Sequence, residues 1–130
     1  MKRPSSPCLA ALLLALAPLS GAAQDATTTD PEKYRVLLEN DQVRVLSYRD
    51  QPGERTHEHR HPAFVVVALA PFKRVIHLPG GKRMPREFRA GDVLWSDAQT
   101  HVGENIGTTP TEVVMVELKR PATADACTRN

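Results

Sequence analysis

Gly53-Glu54-Arg55-Thr56-His57-Glu58-His59-Arg60-His61 sets three histidines at every second position. Successive side chains of a β-strand point to opposite faces, so residues at i and i+2 share one. The three imidazoles then lie on one face, and Glu58 and Arg60 take the other. Two imidazoles so placed reach a common ion, with metal–nitrogen distances of about 2.0–2.1 Å for zinc. A third ligand has to come from another strand. His101, forty residues beyond His61, follows the turn at Gly91 and an apolar strand, which makes it the candidate.

Working outward, the chain is a succession of short apolar or alternating segments. They are Tyr34–Leu38, Val43–Tyr48, the histidine-rich 57–61, Phe64–Leu69, Arg74–Leu78, Glu87–Arg89, Asp92–Trp95, His101–Asn105 and Glu112–Leu118. Asn40-Asp41, Gln51-Pro52-Gly53, Pro79-Gly80-Gly81, Ala90-Gly91-Asp92 and Gly107-Thr108-Thr109-Pro110 separate them, and each holds residues that turn the backbone at low cost. No long stretch keeps a 3.6-residue apolar period, so helix is largely excluded. Many short strands predict an all-β sandwich or barrel. Phe64–Leu69 and Val113–Val116 are apolar throughout, which suits strands covered on both faces.

The N-terminus has a different character. Met1-Lys2-Arg3 is a basic start, Cys8–Leu19 is apolar but for Pro18, and Ser20-Gly21-Ala22-Ala23 offers the small side chains of a cleavage site. This is the pattern of a secretory signal over 1–23, cleaved near Ala23, and the run is too short for a stable bilayer anchor. The expected product is an exported, periplasmic or secreted chain. Residues 24–33 are polar and read as a flexible tether, 34–120 as one domain, and 121–130 as a disordered tail. The chain holds seventeen basic and fifteen acidic residues. Because Lys2 and Arg3 belong to the leader, the remainder is formally neutral, which argues against nucleic acid or an anionic membrane as partner. Cys8 leaves with the leader, so Cys127 has no intramolecular partner and is assigned no role.

In order and spacing these features resemble the two motifs of the cupin superfamily. The first runs from a glycine to a His-x-His pair, and its spacing from Gly53 selects His59 and His61. The second, Gly91-Asp92-Val93-Leu94-Trp95-Ser96-Asp97-Ala98-Gln99-Thr100-His101-Val102-Gly103-Glu104-Asn105, ends in a histidine and, four residues on, an asparagine. His101 and Asn105 match. The resemblance spans Val43 to Leu118 and is strongest to small single-domain conserved-barrel cupins. It implies a double-sheet jelly-roll barrel with metal ligands pointing inward, and such small barrels hold one small ligand.

Three departures qualify the match. The glutamate expected four or five residues after the second histidine falls on Val65 or Val66, Asp97 and Gln99 replace the usual proline and glycine, and His57 is extra. The resemblance therefore implies a divalent transition metal on His59, His61 and His101, with iron, manganese, zinc, nickel and copper all open. His57 is expected to orient the ligating imidazoles rather than bind. Three neutral ligands leave a more cationic centre than the two-histidine, one-carboxylate set of non-haem iron. They still suffice for a catalytic site, and cupins that oxidise small thiols are similar in using three histidines. His77 is expected outside the site, Trp95 in the core, and Arg55, Arg60 and Glu104 on solvated strand faces.

Two functional classes follow. One is a metal-dependent oxygenase or isomerase of a small polar molecule, which calls for a protonatable group such as Glu104 or His57 directed at the ion. The other is a non-catalytic small-ligand or metal-binding sensory module with an apolar wall there. In a further reading the barrel has lost its metal and pairs with a second copy along Tyr34–Leu38, since proteins resembling this one are often dimers and edge pairing is physically easy. The fold alone does not choose among them.

Overall fold

The first histidine motif pairs along most of its length with the second half of the other, residues 99–105. Gly53 N–H donates to Asn105 O at 2.9 Å, Asn105 N–H to Glu54 O at 2.9 Å, and Thr56 N–H to Gly103 O at 2.9 Å. Strand β4 (His59–His61) then runs antiparallel to β9 (Gln99–Asn105), with His59 directly opposite His101. The computed structural model describes residues 24–119. The expected leader at 1–23, the tail at 121–130 and Cys127 lie outside the described residues.

Around this pair stand two five-stranded sheets. One has the order β1-β4-β9-β6-β7, adding β1 (Gln24–Asp25), β6 (Phe72–His77) and β7 (Arg83–Phe88). The other has the order β2-β3-β10-β5-β8, built from β2 (Tyr34–Glu39), β3 (Val43–Asp50), β10 (Thr111–Leu118), β5 (Phe64–Ala68) and β8 (Val93–Ser96). The expected jelly-roll architecture is present. Non-consecutive neighbours, such as β3 beside β10 and β4 beside β9, give it long-range connectivity and bring residues far apart in sequence to one interior.

That interior is filled by alternate residues of each strand. Leu46 and Tyr48 of β3, Phe64 and Val66 of β5, and Val113 and Met115 of β10 are all buried. Phe72 and Phe88 close one end with stacked rings 4.7 Å apart. The fully apolar runs are not covered on both faces: Val65, Val67, Val114 and Val116 are half-buried while their neighbours are buried. Only the inward face packs on the other sheet.

Several boundaries differ from the sequence reading, each for a physical reason. The 57–61 strand begins at His59, because His57 turns its backbone N–H to the Asp30 carboxylate. The segment read as Glu87–Arg89 starts at Arg83, and Pro85 within it is tolerated because β7 is an edge strand. Trp95 is half exposed rather than core, since β8 is likewise an edge strand and carries it beside a cavity mouth.

The largest correction concerns the tether. Residues 24–33 are not a free linker: β1 pairs in parallel with β4, Gln24 opposite His59 and Asp25 opposite Arg60. A single helical turn, α1 (Ala26–Thr29), follows, its start capped by Asp25 accepting from Thr27 N–H at 2.9 Å. Ala26 and Asp30 are buried. Polar composition misled here because Asp25 and Asp30 are used as anchors. Asp25 pairs with Arg44 at 2.5 Å. Asp30 accepts from Thr29 Oγ1 at 2.8 Å as well as from the His57 backbone.

Candidate metal centre

β4 and β9 deliver His59, His61 and His101 to one buried point. The three side chains offer one nitrogen each, all within 4.8 Å of one another. Three imidazole nitrogens so grouped are a donor set that could hold one ion. Their ring centroids are 4.7–5.3 Å apart. The register explains the grouping: His59 and His61 share a face of β4, and His101 is the cross-strand partner of His59.

Hydrogen bonds fix which nitrogen of two rings is free. His59 Nδ1 lies 2.8 Å from the His57 carbonyl, which only accepts, so Nδ1 carries the proton and Nε2 the lone pair. His61 Nδ1 donates to Glu117 Oε1 at 2.6 Å, again leaving Nε2 free. Such outer partners set the tautomer and basicity of metal-ligating histidines. His61 Nε2 and His101 Nδ1 are buried without any partner. Buried polar atoms are normally satisfied, so two orphaned nitrogens among three clustered imidazoles are what an ion would complete.

Electrostatics agree. Burial, with neighbouring His61 adding to it, lowers His59 to about 4. Burial, with His61, His59 and Arg74 adding to it, lowers His101 to about 2. Both rings are therefore neutral near pH 7, the form that ligates a metal. The residues present fit a divalent ion.

A cavity of about 110 Å³ opens beside the cluster. His61 and His101 line it; His59 sits behind them, its Nε2 covered by the Tyr34 hydroxyl at 3.1 Å. Tyr48, Arg74, Phe64 and Trp95 contribute to the wall. Burial raises the hydroxyl pKa of Tyr34 well above the ordinary tyrosine range, and that of Tyr48 as well. No aspartate or glutamate lines the space. Val66, at one of the positions where the family's glutamate was expected, also faces it.

The other expectations divide. His57 touches the cluster only through its carbonyl, which accepts from His59 Nδ1; its imidazole is 78% exposed and pairs with Asp30 at 3.0 Å. Glu104 turns away and pairs with His77 at 2.6 Å, so neither reaches the cluster. Asn105 is structural, its amide donating to Asp50 Oδ1 at 2.9 Å and to Thr109 O at 3.0 Å. Sequence reasoning missed Glu117, Arg44, Asp30, Tyr34 and Arg74. Glu117 had a signal: it continues the inward alternation Thr111, Val113, Met115, where a lone buried carboxylate demands a partner. Arg44 supplies one, with Nη2 2.6 Å from Oε2.

Neither a scan against models of known protein families nor a search of curated proteins finds a match. Solved structures do match. A cupin domain from Bordetella pertussis Tohama I is 26% identical, with a TM-score of 0.61 over 67% of this chain and 92% of its own. A conserved protein with a double-stranded β-helix domain from Klebsiella pneumoniae is 24% identical, with a TM-score of 0.54 over 66% and 75% of the two chains. A cupin superfamily protein from Desulfitobacterium hafniense DCB-2 is 18% identical, with a TM-score of 0.52 over 67% and 76%. Two sheets in jelly-roll order, both histidine motifs in register and these likenesses agree: the chain belongs to the cupin superfamily.

Proposed function

We propose that the protein is an exported cupin that holds one divalent transition-metal ion on His59, His61 and His101 and presents it to a small molecule in the adjoining cavity. The observation that carries this reading is the pair of orphaned buried nitrogens, His61 Nε2 and His101 Nδ1, within a three-histidine cluster. A bound ion there supplies Lewis-acid polarisation or, if redox-active, dioxygen chemistry, suited to an isomerase or oxygenase of a small polar molecule. Glu117 and the His57 carbonyl hold two of the rings. His59 and His101 stay unprotonated through burial, and the apolar wall excludes water.

A second reading, capture of a ligand without turnover, is favoured by one observation. Among the described residues the cavity wall has no carboxylate, and its two tyrosine hydroxyls are held above their usual pKa, so neither kind of group serves there as a general acid or base near neutral pH. Pairing of two copies along the edge strand β2, where Val36, Leu37 and Leu38 are exposed, belongs to the same proposal.

Elemental analysis of the purified protein, free of any histidine tag, tests the centre beside a His59→Ala/His101→Ala variant. About one equivalent of metal in the parent and little in a folded variant is expected. No uptake of iron, manganese, zinc, nickel or copper would overturn it. Oxygen consumption by the loaded protein then separates the oxygenase from simple capture.

A further inference from the structure

Arg74 is charged, buried and without a counter-ion. It is only 8% exposed, yet it joins no ion pair among the described residues. Its Nε has no hydrogen-bond partner. Nη2 donates only to the Tyr48 hydroxyl, at a long 3.4 Å. That hydroxyl is committed in turn to Asp50, so the nearest negative charge is one side chain removed. The guanidinium lies over the Tyr48 ring, 4.9 Å from its centroid. Burying an unpaired charge costs several kcal/mol.

The backbone is shaped to admit this group. A Cβ on Gly103 would lie 2.0 Å from Arg74 Nη2, so only glycine at that position of β9 leaves the guanidinium its place beside the histidines. The space it faces carries no acid, has a second arginine, Arg86, at its exposed margin, and is otherwise walled largely by Phe64, Phe72, Phe88, Met115 and Leu94.

We propose that the cavity takes a small carboxylic acid with an apolar body, its carboxylate paired with Arg74 and its body against the phenylalanines beside the three histidines. The proposal rests on the preceding reading only in taking this cavity as the ligand site. A guanidinium presents its donors in a planar fork that matches a carboxylate. One buried cation balances one negative charge. In the metal-free protein a phosphate dianion would bring a second charge into walls that offer only the exposed Arg86 to meet it.

Trp95, the sole tryptophan, sits on the cavity wall and reports binding by fluorescence. The full chain, metal-free and zinc-loaded, is titrated with benzoate, its neutral analogue benzamide, and inorganic phosphate. Benzoate should bind roughly tenfold or more tighter than benzamide in both forms, and phosphate should not displace it from the metal-free form. Arg74→Gln should erase the preference while near-UV circular dichroism is unchanged. Gly103→Ala, which keeps the charge but displaces the guanidinium, should narrow it. Equal binding of benzoate and benzamide by the parent protein, or displacement by phosphate from its metal-free form, overturns the proposal without recourse to any variant. A preference confined to the zinc-loaded form also overturns it, assigning the anion to the metal. A preference that persists in protein unable to take up metal sustains it and sinks the metal-centre reading alone.

Discussion

His61 Nδ1 donates to Glu117 Oε1 across 2.6 Å, joining β4 to β10 with both side chains at most 1% exposed. Arg44 grips the other carboxylate oxygen and continues to Asp25. The His61 ring is thus held by a chain of charges that reaches the first described residues. Replacing Glu117 by Gln removes the charged acceptor that holds His61 Nδ1–H and leaves Arg44 half-paired. Metal affinity should fall about 10–100-fold and stability by about 1–3 kcal/mol. A chelator-competition titration and a thermal melt measure the two; unchanged affinity would free His61 from dependence on Glu117.

Asp30 joins α1 to the backbone before β4, accepting from His57 N–H at 3.1 Å and, through its other oxygen, approaching His57 Nδ1 at 3.0 Å. Asp30→Ala leaves the His57 N–H without its protein acceptor and loosens the His57 carbonyl that orients His59. A stability loss of about 1–3 kcal/mol is expected, with a drop in metal affinity. Hydrogen exchange should show faster exchange over 24–30. If that segment exchanges equally fast in the parent protein, its docking is not stable in solution.

The Tyr34 hydroxyl donates to His59 Nε2 at 3.1 Å, so in the metal-free protein it occupies the lone pair an ion requires. Metal uptake has to break that bond, a cost of about 0.5–1.5 kcal/mol. Tyr34→Phe should therefore tighten zinc binding by up to about tenfold. Weaker binding would instead make the hydroxyl a participant in holding the ion.

Acid should unfold the metal-free protein from an unusually high pH. An unfolded histidine takes up its proton near 6.5, whereas burial holds His59 at about 4 and His101 at about 2. Below pH 6.5 the unfolded state binds more protons, so stability decreases as pH falls through that window until the folded values are reached. Thermal melts between pH 7 and pH 4 should show Tm dropping steadily. In His59→Ala/His101→Ala the slope should flatten, and an identical slope would place the titration elsewhere.

Much of this was legible in the sequence, and the limits have physical causes. Alternating histidines and turn residues reported the strands, because strand geometry repeats every second residue. The same periodicity placed His59 and His61 on one side. His101 was legible as a third-ligand candidate from its place after the Gly91 turn and from family spacing, but its pairing directly opposite His59 was not, since register is a tertiary property. Glu117, Arg44 and Arg74 were invisible for a related reason: a charged residue inside an apolar strand reads as solvated until the sheet it faces is known. The 24–30 segment was misjudged because its Asp and Thr residues, which elsewhere signal loose chain, are here caps and anchors that a single helical turn needs.

The parallel pairing of Gln24–Asp25 with His59–Arg60 also has a practical consequence. An affinity handle fused directly ahead of residue 24 would emerge beside the imidazole cluster, where a run of added histidines competes for the same ions and inflates apparent stoichiometry. A handle placed after Asn130 starts thirteen positions past the end of β10 at Leu118. Recombinant work on this chain is better served by labels at its C-terminus.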